Sequence, residues 1–306
     1  MGALYALLSK AWQRARKFLA RFSSFYSDKE VYLLDRNPLE SSRLNAQHKF
    51  LVDLIGGSPI HPSIPTENIT AVADIATGTG IWLFTLPAAL PTTNTLYLHG
   101  FDISSAQFPN QTDLKSTHEF HLSIQDIRTR FPPEHRNRYD IIHLRLLAGA
   151  LKQEDYPRAM QNIYELLKPG GYLQWDDGDT SVFDTAEDPR SPLAVRMQNI
   201  ISSAVVKLGM CPDAPTLIEH LAREVGFEDT VRYSYTTLDR PYLHDAARTW
   251  LVEVLRSLLP KSMVGSGEVA DEKTAVDRAE SLVGEFEGHC KDILPVVNWH
   301  VVVARK

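Results

Sequence analysis

The sequence predicts an α/β chain: a mostly parallel sheet, helices on both of its faces, and a helical lid over one end. Short apolar runs alternate with helix-like stretches through the middle of the chain, and that alternation produces parallel strands joined by crossover helices. A Gly-X-Gly loop follows the first of these strands, at Gly78-Thr79-Gly80. Beyond Asp176 the texture turns mainly helical before a last apolar run at Trp299–Ala304.

The expected strands are Val72–Ile75, Leu96–Ile103, His121–Ile124, Tyr139–Leu144 and Tyr172–Trp175, with a helix at Ala159–Leu167. Each strand is short and apolar, as strands covered on both faces are. Lys168-Pro169-Gly170-Gly171 reads as a tight turn that stops a helix before the fifth strand. Further helices are expected at Leu193–Leu208, Thr216–Val225, Arg240–Leu259 and Lys273–Cys290, the last two split by a loop at Gly265–Gly267. Thr230–Thr237 reads as a strand. The lid is expected from about 240–295 together with the helices that precede the sheet.

Ahead of the sheet, Pro38–Gly57 reads as a helix ended by two glycines. Three prolines between Ser58 and Thr66 mark an extended connector. This places N-terminal helices and connector at 1–66 and the main domain at 67–306. Before that, Lys10, Arg14, Arg16, Lys17 and Arg21 share a stretch with no acidic residue up to Ser27, and Leu4, Leu8, Trp12 and Leu19 recur at helical spacing. This basic amphipathic helix fits packing on the domain or a second subunit, contact with a membrane surface, or a transit peptide.

Composition narrows the function. The 306 residues carry a net charge of -6, with 43% hydrophobic and 23% charged residues. That balance is not that of a general nucleic-acid binder. No apolar run reaches the roughly 18 residues that span a bilayer. Cys211 and Cys290 stand apart and no zinc-like spacing occurs, so a reducing, cytoplasmic setting without a metal site is expected.

In sheets of this kind the ligand sits beyond the C-terminal strand ends, so the residues after each strand decide the chemistry. Glycines at 78 and 80 let the backbone turn and approach a ligand closely. A dinucleotide loop would need a third glycine where Leu83 stands. Asp74, just before the loop, would repel a pyrophosphate and attract a cationic ligand. Asp102, ending the second strand, can accept from both hydroxyls of a ribose. Asp126, after the third, can accept from an adenine amino group, with Ile103 or Ile127 against the ring.

Four residues on the fourth and fifth strands are candidates for the reaction itself. His143 has the pKa range of a general base. Arg145 could meet a carboxylate on cofactor or substrate, Trp175 could stack on a substrate ring, and Asp176 faces the expected acceptor side.

The Asp74-Ile75-Ala76-Thr77-Gly78-Thr79-Gly80 run, Asp102, Asp126 and Leu167-Lys168-Pro169-Gly170-Gly171 together resemble the motifs of class I S-adenosylmethionine (SAM)-dependent methyltransferases, over about residues 70–177. Glu40–His48, Gly100–Ser104 with Gln107-Phe108-Pro109, and Gly171–Trp175 are similar to fungal tailoring methyltransferases of secondary metabolism. The resemblance implies a Rossmann-like sheet, SAM as cofactor and a small natural product accepting on hydroxyl or nitrogen. It implies ribose binding at Asp102, adenine-side contacts at Asp126, and methionine-side contacts in the loop of Asp74, Thr77, Gly78 and Gly80. One departure is Ala76, where the family commonly has glycine. Two other readings remain open: a regulatory methyltransferase-like protein acting through a partner, and a nucleotide-dependent oxidoreductase.

Overall fold

The computed structural model describes residues 38–90, 95–109, 117–187 and 189–306, all within one compact unit. The basic amphipathic helix expected before Ser27 lies outside the described residues.

Helix α1 (Pro38–Leu54) comes first and ends as expected at Gly56 and Gly57, both at positive φ. The expected strands follow as β1 (Ala71–Ile75), β2 (Tyr97–Asp102), β3 (Glu119–Ile124), β4 (Tyr139–Arg145) and β5 (Leu167–Asp177). Helix α2 (Ile81–Ala89) follows the glycine loop, and α3 (Tyr156–Leu166) leads into β5. After β5 come β6 (Phe183–Thr185), α4 (Pro192–Lys207), α5 (Ala214–Val225), β7 (Glu228–Thr236), α6 (His244–Ser266), α7 (Glu272–His289) and β8 (Pro295–Arg305).

The sheet runs β3-β2-β1-β4-β5-β8, with β7 on the far side of β8. The first five strands are parallel; β8 is antiparallel to β5 and to β7, so β7 runs the same way as β5. The strand order reverses at β1, between β2 and β4. That is where a parallel sheet opens a crevice for a ligand.

Side chains alternate between the two faces of a strand. Ala73, Ile75, Ile142, Leu144, Leu173 and Trp175 turn to one face and form the main apolar core with α3 and α5. The other face carries Asp74, His143 and Gln174, which the register sets side by side on β1, β4 and β5. A polar rung inside otherwise apolar strands is costly unless every group is bonded, and it marks the functional face. Among the described residues no helix is long and apolar enough to cross a membrane.

Two expectations shift, and one short strand is added. Lys168–Gly171 is the start of an extended strand, not a free turn. Gly170 N–H donates to Lys306 O and Lys306 N–H to Gly171 O, so the end of β8 holds this backbone in the sheet. Gly170 absorbs the bend at φ +81°. Helix α6 does not stop at Leu259. It runs through Pro260 and Gly265 to Ser266, where Gly267 caps it at φ +72°. The side chain of Leu208 packs so close to Gly265 that a Cβ there would stand 3.1 Å from it, which favours glycine inside this helix. The three-residue β6 was too short to read from the sequence and pairs with the first residues of β8.

Candidate active site

The glycine loop is shaped by its own backbone. Gly78 and Gly80 lie at φ +54° and +75°, and Ala76 also lies in the left-handed region at φ +58°. That conformation costs a residue with a Cβ about 1–2 kcal/mol. Leu146, just past β4, is likewise at φ +60°, held by its N–H on Asp176 O. Strain thus flanks the crevice on the two central strands, and such strain collects at functional sites.

Beneath the loop stands a buried polar row. Asp74 Oδ2 accepts from Thr77 Oγ1 at 2.7 Å, and Asp74 Oδ1 lies 2.7 Å from His143 Nδ1. His143 Nε2 lies 3.4 Å from Asp176 Oδ2, and Gln174 Nε2 donates to Asp176 Oδ1 at 3.1 Å. The His143 ring is stacked on Trp82, with centroids 4.0 Å apart and planes 2° apart, and is 1% exposed. Burial by itself would lower its pKa. The hydrogen bonds to Asp176 and Asp74, with their charges, outweigh burial and hold His143 above its usual 6.5. The expected base is therefore a ring clamped between two carboxylates.

Asp102 is placed as expected, half-buried at the end of β2. Its Oδ2 accepts from Gly78 N–H at 2.9 Å and its Oδ1 from Ser104 N–H at 3.1 Å. It binds the glycine loop to β2. Ile103 beside it is 38% exposed, an apolar surface at the mouth. Asp126 is differently engaged. Arg128 clamps both of its oxygens, with Nε at 3.0 Å and a terminal nitrogen at 2.7 Å. Although burial pulls the other way, those bonds hold the Asp126 carboxyl below its usual range. Ile127 is buried in the apolar core, so of the two isoleucines only Ile103 is open to a ring.

Trp175 is corrected from substrate contact to core: it is fully buried, turned to the apolar face, and stacked on Tyr156. Asp176 is at the expected strand end but buried, bonded to Gln174 and near His143. Its neighbour Asp177 accepts from the N–H groups of Leu147, Ala148 and Gly178, yet burial still pushes its pKa up to about 7.

Helix α1 covers this row. Asn45 Oδ1 accepts from Thr79 Oγ1 at 2.8 Å, and His48 Nδ1 lies 3.1 Å from an Arg145 terminal nitrogen. Burial, then Arg145 and His143, press the His48 pKa down to about 3, so its neutral ring accepts from Arg145. Gln47 ties α1 to α6 through Trp250 Nε1 at 2.9 Å. The connector is fixed too: Pro59 O accepts from Trp82 Nε1 and Gln174 Nε2, and His61 N–H donates to Gln174 Oε1. Gln174, Trp82 and His61 were missed from the sequence. The one visible signal was Gln174, a polar residue on the alternation of an apolar strand, in step with His143.

Residues 73–173 match the family described as a methyltransferase domain. Over this segment the chain is similar to a methyltransferase domain. The methyltransferase grgD of a Penicillium species is 38% identical over 154 residues, 49% of this chain and 53% of that protein. The N-methyltransferase sirN of Leptosphaeria maculans is 31% identical over 198 residues, 65% of this chain and 66% of that protein. The N-methyltransferase gliN of Aspergillus fumigatus is 25% identical over 199 residues, 65% of this chain and 68% of that protein. The chain thus spans about half of the first relative's length and about two thirds of the others'. The matched segment holds Asp74, the glycine loop, Asp102, Asp126, His143 and Arg145, while Asp176 and the covering α1 lie outside it.

Proposed function

We propose that the chain transfers a methyl group from SAM to a nitrogen of a small natural product. The observation that carries this reading is Asp102: a carboxylate at the end of β2, bonded to the Gly78 amide, inside the matched methyltransferase segment. The surroundings fit SAM. Gly78 presents no Cβ, and Gln107 packs over it, its Oε1 3.8 Å from where a Cβ would stand. The Gln107 Nε2 group is buried and has no acceptor among the described residues. Leu83 fills the third glycine position of a dinucleotide loop and is fully buried, which disfavours a nicotinamide cofactor.

In this reading Asp102 holds the ribose and Ile103 lies against the adenine. The glycine loop takes the amino-acid end, with the Asp74 carboxylate beneath it and Arg145 offering a cation to a carboxylate. SAM supplies a methyl group already activated by its sulfonium. The protein's part is alignment and exclusion of water, and the closed floor of Trp82, His143 and Asp176 serves the second. His143 is a positioning residue here. Both its ring nitrogens face carboxylates, so it fixes Asp74 and Asp176 rather than taking a proton from the acceptor. A neutral amine nitrogen brings its own lone pair and needs no side-chain base. The nitrogen assignment draws support from the printed activity of relatives such as sirN and gliN.

The test is label transfer. Full-length protein, methyl-labelled SAM and a small-molecule extract of a fungal culture should yield a labelled compound about one CH₂ heavier than its unlabelled parent. No label above the level of a boiled control would contradict the reading.

A further inference from the structure

Unspent chemistry also lies across the sheet from the glycine loop, on β7 and β8. His61, in the connector, is 4% exposed, and its ring lies over Tyr233 with centroids 4.1 Å apart. Its Nδ1 accepts from the Ser63 backbone N–H at 3.2 Å and lies 2.7 Å from Ser63 Oγ. Its Nε2 lies 2.7 Å from the Tyr235 hydroxyl. A ring nitrogen that accepts a backbone N–H carries no proton. Burial, against the pull of Asp176, lowers the His61 pKa from 6.5, so the ring is neutral near pH 7. Its single proton is then on Nε2 and is donated to Tyr235 Oη. The Tyr235 hydroxyl has its own hydrogen left over, and no described residue accepts it. Burial raises the Tyr235 pKa as well, so that hydrogen stays.

Two more donors stand beside it. Trp299 is the register partner of Tyr235 across β7 and β8 and is fully buried, yet its Nε1 has no acceptor among the described residues. Its benzo edge lies against Gly178, 3.5 Å from where a Cβ would stand, which leaves Nε1 at the opposite edge of the ring. The Arg240 guanidinium lies over the Tyr235 ring, 5.6 Å from its centroid. Its buried Nε makes no hydrogen bond, with the Asp239 carboxylate 3.8 Å away. Buried donors are nearly always satisfied. Here two buried donors, Trp299 Nε1 and Arg240 Nε, are unspent on residues that adjoin Tyr235, one of them cationic. Because β7 runs parallel to β5, Tyr235 near the end of β7 faces the same rim of the sheet as Asp176.

We propose that Tyr235, Trp299 and Arg240 form the subsite for the methyl acceptor and that it reads a carbonyl or carboxylate oxygen on that molecule. Donors with a neighbouring cation select oxygen lone pairs and reject ammonium groups. The aromatic surroundings, with Trp250 edge-on to Trp299 at 6.4 Å and Phe183 stacked on Trp250, suit a flat ring bearing that oxygen. His61 is a positioning residue: its proton on Tyr235 Oη aims the hydroxyl hydrogen outward. The identity of the bound molecule as a methyl acceptor rests on the function proposed above; the binding chemistry does not.

The test uses the full chain and three probes: benzamide, benzoate and benzylamine, titrated by ligand-observed NMR, with S-adenosylhomocysteine titrated by calorimetry on the same samples. Benzamide and benzoate should bind and benzylamine should not. Tyr235→Phe should weaken benzamide about three- to tenfold, the range expected for one hydrogen bond. His61→Ala should weaken it similarly, and Arg240→Gln should weaken benzoate more than benzamide. All three variants should keep wild-type affinity for S-adenosylhomocysteine, which also shows that they are folded. Benzylamine binding as tightly as benzamide, no binding of either oxygen probe, or wild-type benzamide affinity in Tyr235→Phe would overturn the subsite. Oxygen probes that bind a chain with no affinity for S-adenosylhomocysteine would keep the subsite and remove the methyltransferase function instead.

Discussion

His143→Ala takes away the ring that stands between Asp74 and Asp176. Both carboxylates are buried, and the ring touches one at 2.7 Å and the other at 3.4 Å. Breaking a buried ion pair by removing one partner costs about 3–5 kcal/mol. The lost stack on Trp82 adds about 0.5–1.5 kcal/mol, and proton uptake by one of the stranded carboxyls returns part of the loss. The expected net destabilisation is about 3–5 kcal/mol, or a fall in Tm of about 5–8 °C in a chain of this size. His143→Gln, which keeps a neutral donor, should lose less. The pH dependence has a definite sign. The folded pKa of His143 is raised above 6.5, so its contribution is fully present below about pH 6.5 and is lost as pH rises through the folded value. The gap between wild type and His143→Ala should therefore narrow toward alkaline pH. Urea unfolding followed by circular dichroism at several pH values measures this. A loss under about 1 kcal/mol, together with a kcat–pH profile of His143→Gln that lacks one limb, would refute the clamp and return His143 to the role of base.

Two further outcomes follow from backbone strain and buried histidines. Ala76→Gly relieves about 1–2 kcal/mol of left-handed strain, while greater freedom of the unfolded chain takes back about 0.4–1 kcal/mol. A modest gain of about 0.5–1 kcal/mol by thermal or urea unfolding is expected, and a loss would mean that Ala76 does not sit at φ +58°. His48 and His99 are both pressed by burial to a pKa of about 3. The unfolded chain then takes up their protons first, so stability falls as pH drops below 6.5, by up to about 1.4 kcal/mol per pH unit for each. His99→Gln should remove about half of that slope between pH 6 and 4, and an unchanged slope would count against the assignment.

The sheet was legible because its strands announce themselves twice, by apolar runs and by what ends them. The positions of Asp74, Asp102 and the glycines at 78 and 80 were legible for the same reason: the C-terminal end of a parallel strand has a fixed address. What failed depended on partners distant in sequence. Lys168–Gly171 looks like a turn until the last residues of β8 arrive beside it. Trp175 and Trp82 look alike as aromatic residues near strand ends, yet one closes the core and the other forms the floor under His143. The connector reads as a spacer because its prolines are visible and the bonds of Pro59 and His61 to Gln174 are not.

The central claim is that Asp102 and the glycine loop hold SAM. Its most direct measurement is calorimetric titration of S-adenosylhomocysteine into wild type and Asp102→Ala, with NAD as a control ligand. Wild type should bind, Asp102→Ala should lose at least about tenfold in affinity, as expected for a charge-assisted hydrogen bond, and NAD should give no heat. Equal affinity in the two proteins, or binding of NAD in place of S-adenosylhomocysteine, would contradict it.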